Sequence, residues 1–149
     1  MGTLTDAARP AIDGGIVYAL GHGGRMIAAQ SRNGERVWSI NVVGTQPPYI
    51  SGDGVFVVDT SGQLLAVNRR DGKILWTTKL PGSSTWSGPT LAGGMLWLTS
   101  NQGALAGVDA ATGKVETQQS LGNPVFIAPI VAQSRMFVLT DNARLIALN

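Results

Sequence analysis

The chain contains no cysteine among its 149 residues. That removes disulfides, thiolate metal ligands and a cysteine nucleophile together, and leaves the redox compartment open. It has one histidine, His22, set in Gly21-His22-Gly23-Gly24. A lone imidazole has no second histidine with which to build a metal site, and a glycine-flanked turn accounts for it. Charge is sparse at 13%, with a net value of +2. The basic residues are scattered, and Arg69-Arg70 is the only adjacent pair. A nucleic-acid footprint needs a clustered basic face, so no nucleic-acid partner is expected. No apolar run approaches the roughly 20 residues that cross a bilayer as a helix. Met1 to Asp6 shows neither a basic segment nor an apolar stretch of the signal-peptide kind, so no export signal is expected within this sequence.

What the chain does have is repetition. Prolines fall at Pro10, Pro48, Pro89 and Pro129, in steps of 38, 41 and 40. Apolar positions at Met26, Leu64, Leu105 and Leu145 step identically, and hairpin glycines at Gly34, Gly72 and Gly113 follow with 38 and 41. Landmarks that move together define one supersecondary unit, copied. Hydrophobic content of 44% supplies a core for it.

The second copy reads as four short strands. Pro48-Tyr49-Ile50 is extended, with proline tolerated at a strand's first residue. Ser51-Gly52-Asp53-Gly54 is turn chemistry. Val55-Phe56-Val57-Val58 and Leu64-Leu65-Ala66-Val67 have strand composition, and Asp71-Gly72 is a tight-hairpin signal before Lys73-Ile74-Leu75-Trp76. Nothing shows helical periodicity. The fold class expected is all-β: a β-propeller segment of about four four-stranded antiparallel blades. The blades run 10–47, 48–88, 89–128 and, incomplete, 129–149, with residues 2–9 as the tail of a preceding outer strand. Blades bury their faces against neighbours, so the remaining blades of a parent chain, or a second copy, are expected to complete the ring. The segment is expected to be the C-terminal half of a larger propeller. Small residues hold one slot in every copy, at Ala28, Ala66, Gly107 and Ala147, and are expected to let adjacent blades approach closely. Trp38 and Trp76 share an outer-strand slot and are expected to pack between blades.

The connections entering each blade, and those between second and third strands, emerge at one end of a propeller. The former carry Gln46, Tyr49, Trp86 and Phe126; the latter carry Asn101 and Asn142. Aromatics among amides suggest a protein-binding surface, because aromatic anchors dominate such affinities. Trp86 and Phe126 equally suit a lid over the inner strands. No catalytic, cofactor-binding or metal-binding residue is expected: the nine acidic residues are spread through turns and hairpins whose geometry explains them.

The hairpin Leu65-Ala66-Val67-Asn68-Arg69-Arg70-Asp71-Gly72-Lys73-Ile74-Leu75-Trp76 resembles the quinoprotein-type propeller repeat, A-x-D-x-x-T-G-x-x-x-W. Ala106-Gly107-Val108-Asp109-Ala110-Ala111-Thr112-Gly113-Lys114 is similar, with Thr117 where tryptophan is usual, and Ala28 to Trp38 is a looser copy. Within that superfamily the chain looks most like the C-terminal half of the BamB family of outer-membrane-protein assembly lipoproteins, in its alphaproteobacterial form. Thr5 to Gly15, Gly21 to Met26, Phe126 to Pro129 and Leu139 to Leu148 carry the likeness. The resemblance implies an eight-bladed propeller of which this segment is about half, a non-catalytic periplasmic scaffold associated with the outer membrane through a lipid anchor that lies outside this sequence. It implies as partners a BamA-like protein and nascent outer-membrane proteins. The competing resemblance is to quinoprotein dehydrogenases, which hold pyrroloquinoline quinone and calcium; a generic propeller interaction module is the third reading.

Overall fold

In the computed structural model the residues described are 9–21, 23–44, 46–82, 85–120, 130–132, 135–139 and 145–148, with side chains described through residue 120. All regular structure among them is β. Fifteen strands among these residues form four antiparallel sheets, each a simple meander. The first sheet is β1 (Ala11–Asp13), β2 (Ile16–Leu20), β3 (Arg25–Gln30) and β4 (Arg36–Asn41). The second is β5 (Tyr49–Ser51), β6 (Gly54–Val58), β7 (Gln63–Asn68) and β8 (Ile74–Lys79). The third is β9 (Trp86–Ala92), β10 (Met95–Ser100), β11 (Ala104–Asp109) and β12 (Val115–Ser120). The fourth has β13 (Ile130–Ala132), β14 (Arg135–Leu139) and β15 (Leu145–Leu148). Short β-branched runs separated by Gly, Asn and Asp turns give this pattern, since each tight turn reverses the chain beside the strand just made. Residues 1–77 and 78–149 form two compact units.

In the first unit the two sheets share one core. Tyr18, Leu20, Met26, Ala28, Trp38 and Val42 from the first pack with Val55, Val57, Leu65 and Val67 from the second, all buried. Strand alternation makes this possible, because residues two apart point to the same face. The register fixes which residues meet. Tyr18 pairs with Ala28 and Ala28 with Trp38, so the alanine lies between two rings. Those rings touch over it, with centroids 6.0 Å apart. Phe56 pairs with Ala66 in the second sheet, and the Phe56 and Trp76 rings lie 6.2 Å apart.

The third sheet, in the second unit, uses the same device with a smaller partner. Trp97 pairs with Gly107 and Gly107 with Thr117. A Cβ on Gly107 would stand 2.7 Å from the Trp97 ring and 2.6 Å from Thr117 Cγ2. In the three sheets whose side chains are described, the small residue therefore gives room for the large groups that meet across it. At Ala28 the same slot also lies on the face that packs with the second sheet, in line with the close approach of blades expected from sequence. In the fourth sheet the backbone register pairs Phe137 with Ala147.

Trp38 also binds across sheets. Its indole N–H donates to the carbonyl of Arg69 at 2.8 Å. Its ring covers Gly72 so closely that a Cβ there would lie 2.8 Å from Cδ2. Gly72 has φ +76° as well, so two separate demands select glycine.

Candidate recognition surface at the blade connections

The sequence-predicted site residues fall in different surroundings. Gln46 and Tyr49, in the first unit, are both half-buried, Tyr49 opening β5 opposite Phe56. Trp86, in the second unit, is only 3% exposed, and its indole nitrogen has no hydrogen-bond partner among the described residues. It begins β9 opposite Ser100 and belongs to the packing of that strand rather than to an open aromatic face. Asn101 is half-buried and is used internally: its N–H donates to the Thr85 carbonyl at 2.9 Å, while its Oδ1 accepts the Thr85 N–H at 3.1 Å. That pair of bonds clips the incoming connection to the β10–β11 turn. Phe126, Asn142 and His22 lie outside the described residues.

The first unit contains the corresponding clip in simpler form. Thr60 N–H donates to the Val43 carbonyl at 2.8 Å, and Val42 N–H to the Gly24 carbonyl at 2.8 Å. Asp59 holds the β6–β7 turn in shape by accepting the N–H groups of Ser61 and Gln63 on Oδ1, both at 2.9 Å. Ser100 does this in the third sheet, its Oγ accepting from Gln102 and Ala104. Between connection and turn lies an open hollow of about 300 Å³, lined by Gly24, Asn41, Val42, Val43, Asp59, Thr60 and Ser61. Val42 plugs it from below, buried, while Val43 stands 56% exposed at its edge. An exposed valine beside hydroxyl, amide and carboxylate groups suits a polypeptide, which offers both apolar side chains and backbone hydrogen bonds. Sequence reasoning missed Val43. The signal available was the second valine of Asn41-Val42-Val43-Gly44, one more apolar residue than the strand can bury.

The opposite end of the first unit carries a charged joint. Arg69 sits in the β7–β8 turn and reaches back to the first sheet. Its guanidinium pairs with the Asp13 carboxylate at 2.7 Å and donates to the Tyr18 hydroxyl at 3.1 Å. It also donates to the carbonyls of Gly52 at 3.1 Å and Asp13 at 3.3 Å. The same group lies 5.7 Å from the Tyr18 ring centroid. The hydrogen bond to Asp13, followed by that to Tyr18, raises the Arg69 pKa above its ordinary value. The whole arrangement is a latch between sheets.

The described carboxylates do not converge. Asp13 is held by Arg69. Asp59, Asp71 and Asp109 each accept backbone N–H groups of their own turns. Calcium takes six to eight oxygen ligands, and oxygens dispersed over separate turns do not supply that set. The described residues therefore do not fit a quinone–calcium site.

Comparison with known proteins places this architecture. The family model described as outer membrane protein assembly factor BamB matches residues 5–78 and again 62–149. The chain belongs to this family. Among solved structures, BamB from Moraxella catarrhalis superposes with a TM-score of 0.84 at 16% identity, covering 94% of this chain and 42% of that one. The chain thus spans less than half the length of that BamB. The computationally designed Ika4 protein gives a TM-score of 0.82 at 12% identity, covering 99% of this chain and 92% of that one. Quinohemoprotein alcohol dehydrogenase from Comamonas testosteroni gives 0.75 at 18% identity, over 89% of this chain and 28% of that one. At these identities the likeness is one of fold, the β-propeller. No curated protein gives a significant match to the chain.

Proposed function

We propose that the chain supplies part of a BamB-type, non-catalytic scaffold that binds protein partners during assembly of outer-membrane proteins. The observation that carries the reading is the BamB family match, which runs in two overlapping spans from residue 5 to residue 149. Fold alone would not carry it, because propellers host unrelated functions. The chemistry of the blade connections agrees with the family. The hollow beside Val43 offers one exposed apolar side chain and several polar groups, a surface for polypeptide rather than for a small reactive substrate. Gln46 and Tyr49 belong to the same connection and extend that surface. The location that goes with this reading is the periplasmic side of the outer membrane, and the partners are a BamA-like protein and unfolded outer-membrane chains.

The test is binding of the purified chain to the periplasmic portion of a BamA-like protein, measured by surface plasmon resonance. Val43→Asp is expected to weaken binding by at least about tenfold, the scale of one interface anchor, with an unchanged melting temperature. Wild-type chain that binds neither this partner nor an unfolded outer-membrane protein would overturn the proposal. So would tight calcium-dependent binding of pyrroloquinoline quinone, which would restore the dehydrogenase reading.

A further inference from the structure

The β6–β7 turn carries a charge that its geometry does not demand. The turn recurs in the first three sheets. Gly21 N–H donates to the Arg25 carbonyl at 3.0 Å in the first, as Asp59 N–H does to that of Gln63 at 2.9 Å in the second. Gly62 N–H donates to the Asp59 carbonyl at 3.2 Å, as Gly103 N–H does to that of Ser100 at 3.1 Å in the third. The φ of Gly62, +86°, matches the +85° of Gly103. Gly21, Asp59 and Ser100 thus hold one place in the repeat. Glycine makes the turn there with no side chain at all. Ser100 makes it with a hydroxyl, whose Oγ accepts from Gln102 and Ala104 just as Asp59 Oδ1 accepts from Ser61 and Gln63. A carboxylate is surplus to the turn.

Its surroundings differ as well. Ser100 is buried, whereas Asp59 is half-buried and lines the hollow of about 300 Å³ beside Val43. Asp59 Oδ1 is fully used, accepting the Ser61 hydroxyl at 2.7 Å besides the two N–H groups. Oδ2 accepts no hydrogen bond among the described residues. The ion pairs among those residues join Arg69 to Asp13 and Arg70 to Asp53, so Asp59 has no cation. Arg25, which pairs with Asn41 across the strands, does not supply one. An uncompensated carboxylate therefore shares the hollow with a valine that is 56% exposed.

We infer that this hollow receives a single lysine or arginine side chain from an extended segment of a protein partner. The inference rests on the binding role proposed above and gives that role its chemistry. The aliphatic stem of such a side chain covers Val43, while its charged head meets the free oxygen of Asp59. A hydrogen bond between ionised groups is about twice as strong as a neutral one. An acidic or wholly apolar occupant would desolvate the carboxylate and leave it unpaired. A bare divalent ion is a poorer occupant, because one carboxylate falls far short of the six to eight oxygens that calcium takes.

The experiment uses the 149-residue chain and short labelled peptides of alternating serine and valine, alike except for a central lysine, norleucine or glutamate. Norleucine keeps the stem and lacks the charge. Fluorescence anisotropy is expected to show the lysine peptide binding at least about fivefold more tightly than the norleucine peptide, with glutamate weakest. Raising the salt concentration should narrow that gap. Asp59→Asn keeps the Oδ1 acceptor, and Asp59→Ser copies the turn made by Ser100. Both variants should melt as the wild type does and bind the lysine and norleucine peptides within about twofold of each other. Equal wild-type affinity for those two peptides would overturn the inference and leave the binding role standing. A lysine preference that survives in either folded variant would overturn it too, by placing the cation elsewhere. A chain that binds the BamA-like protein but none of the peptides would exclude an extended segment as the occupant. A chain that binds neither would remove both readings.

Discussion

The indole nitrogen of Trp38 lies 2.8 Å from the carbonyl oxygen of Arg69, 31 positions along the chain and in the next sheet. One side chain thus joins two sheets in two ways, by covering Gly72 and by satisfying a turn carbonyl. The two contributions separate by substitution. Trp38→Phe keeps a ring in the core but leaves the carbonyl without its donor, and should cost about 1–2 kcal/mol. Trp38→Ala also opens a cavity among Tyr18, Val55 and Val67, and should cost about 3–5 kcal/mol. Urea unfolding of the two variants measures the difference; equal losses would mean that the hydrogen bond contributes nothing.

Gly34 and Gly72 permit a controlled comparison within one molecule. Both have positive φ, at +73° and +76°. Alanine at either position therefore bears the left-handed penalty of about 1 kcal/mol. Only at Gly72 does the new methyl also run into an indole, 2.8 Å from its Cδ2. Gly72→Ala should destabilise the chain by about 2 kcal/mol more than Gly34→Ala, the scale of an overpacked core position. Thermal unfolding of both variants checks this, and matching losses would show that Trp38 yields freely.

Gly107 tests the interior use of the small-residue slot. In most strands Gly→Ala improves stability, since glycine weakens a strand. Here the added Cβ meets Thr117 Cγ2 at 2.6 Å and the Trp97 ring at 2.7 Å. Gly107→Ala should cost about 1–3 kcal/mol. Thr117→Ser removes the offending methyl, so the double variant should recover part of that loss, with a coupling of at least about 0.5 kcal/mol in a double-mutant cycle. Strict additivity would show that the two side chains do not compete for the same space.

Sheet, strand and repeat were legible because they depend on local pattern. Two-residue alternation and Asp-Gly or Asn-Gly turns specify a meander whatever surrounds it. The small slot at Ala28, Ala66 and Gly107 was legible as a packing constraint, but the large groups that meet across it were not, because cross-strand neighbours depend on register. A bulge at Ala28–Ala29 and another at Gly107–Val108 shift that register by one residue. The candidate surface was less legible. Trp86 is an exposed anchor or a packed ring according to tertiary context alone, and the structure buries it. Asn101 carries an amide suited to recognition but spends it on the Thr85 backbone. The Arg69 latch spans 56 positions to Asp13, beyond any local motif, and Arg69-Arg70 reads along the sequence only as a solvated basic pair.

That latch gives the last prediction. Arg69 offers a planar fork, and the acceptors it meets among the described residues all lie on the sheet-to-sheet joint: the Asp13 carboxylate, the Tyr18 hydroxyl and two carbonyls. Lysine cannot reproduce that geometry with a single ammonium. Arg69→Lys should therefore recover less than half of the stability lost in Arg69→Met. The loss itself should be about 1–3 kcal/mol, reduced by the partial exposure of the group. The pH dependence follows from the direction of the shift. The folded-state pKa of Arg69 is raised, chiefly by Asp13. Its contribution is then fully present at every pH below the unfolded-state value and is lost only as pH climbs through the higher folded-state value. Guanidinium titration therefore contributes no slope to the difference between wild type and Arg69→Met over about pH 6 to 9, which lies well below arginine's range. Chemical denaturation at several pH values measures that difference, and a loss that shrinks steadily between neutral and about pH 9 would contradict the latch.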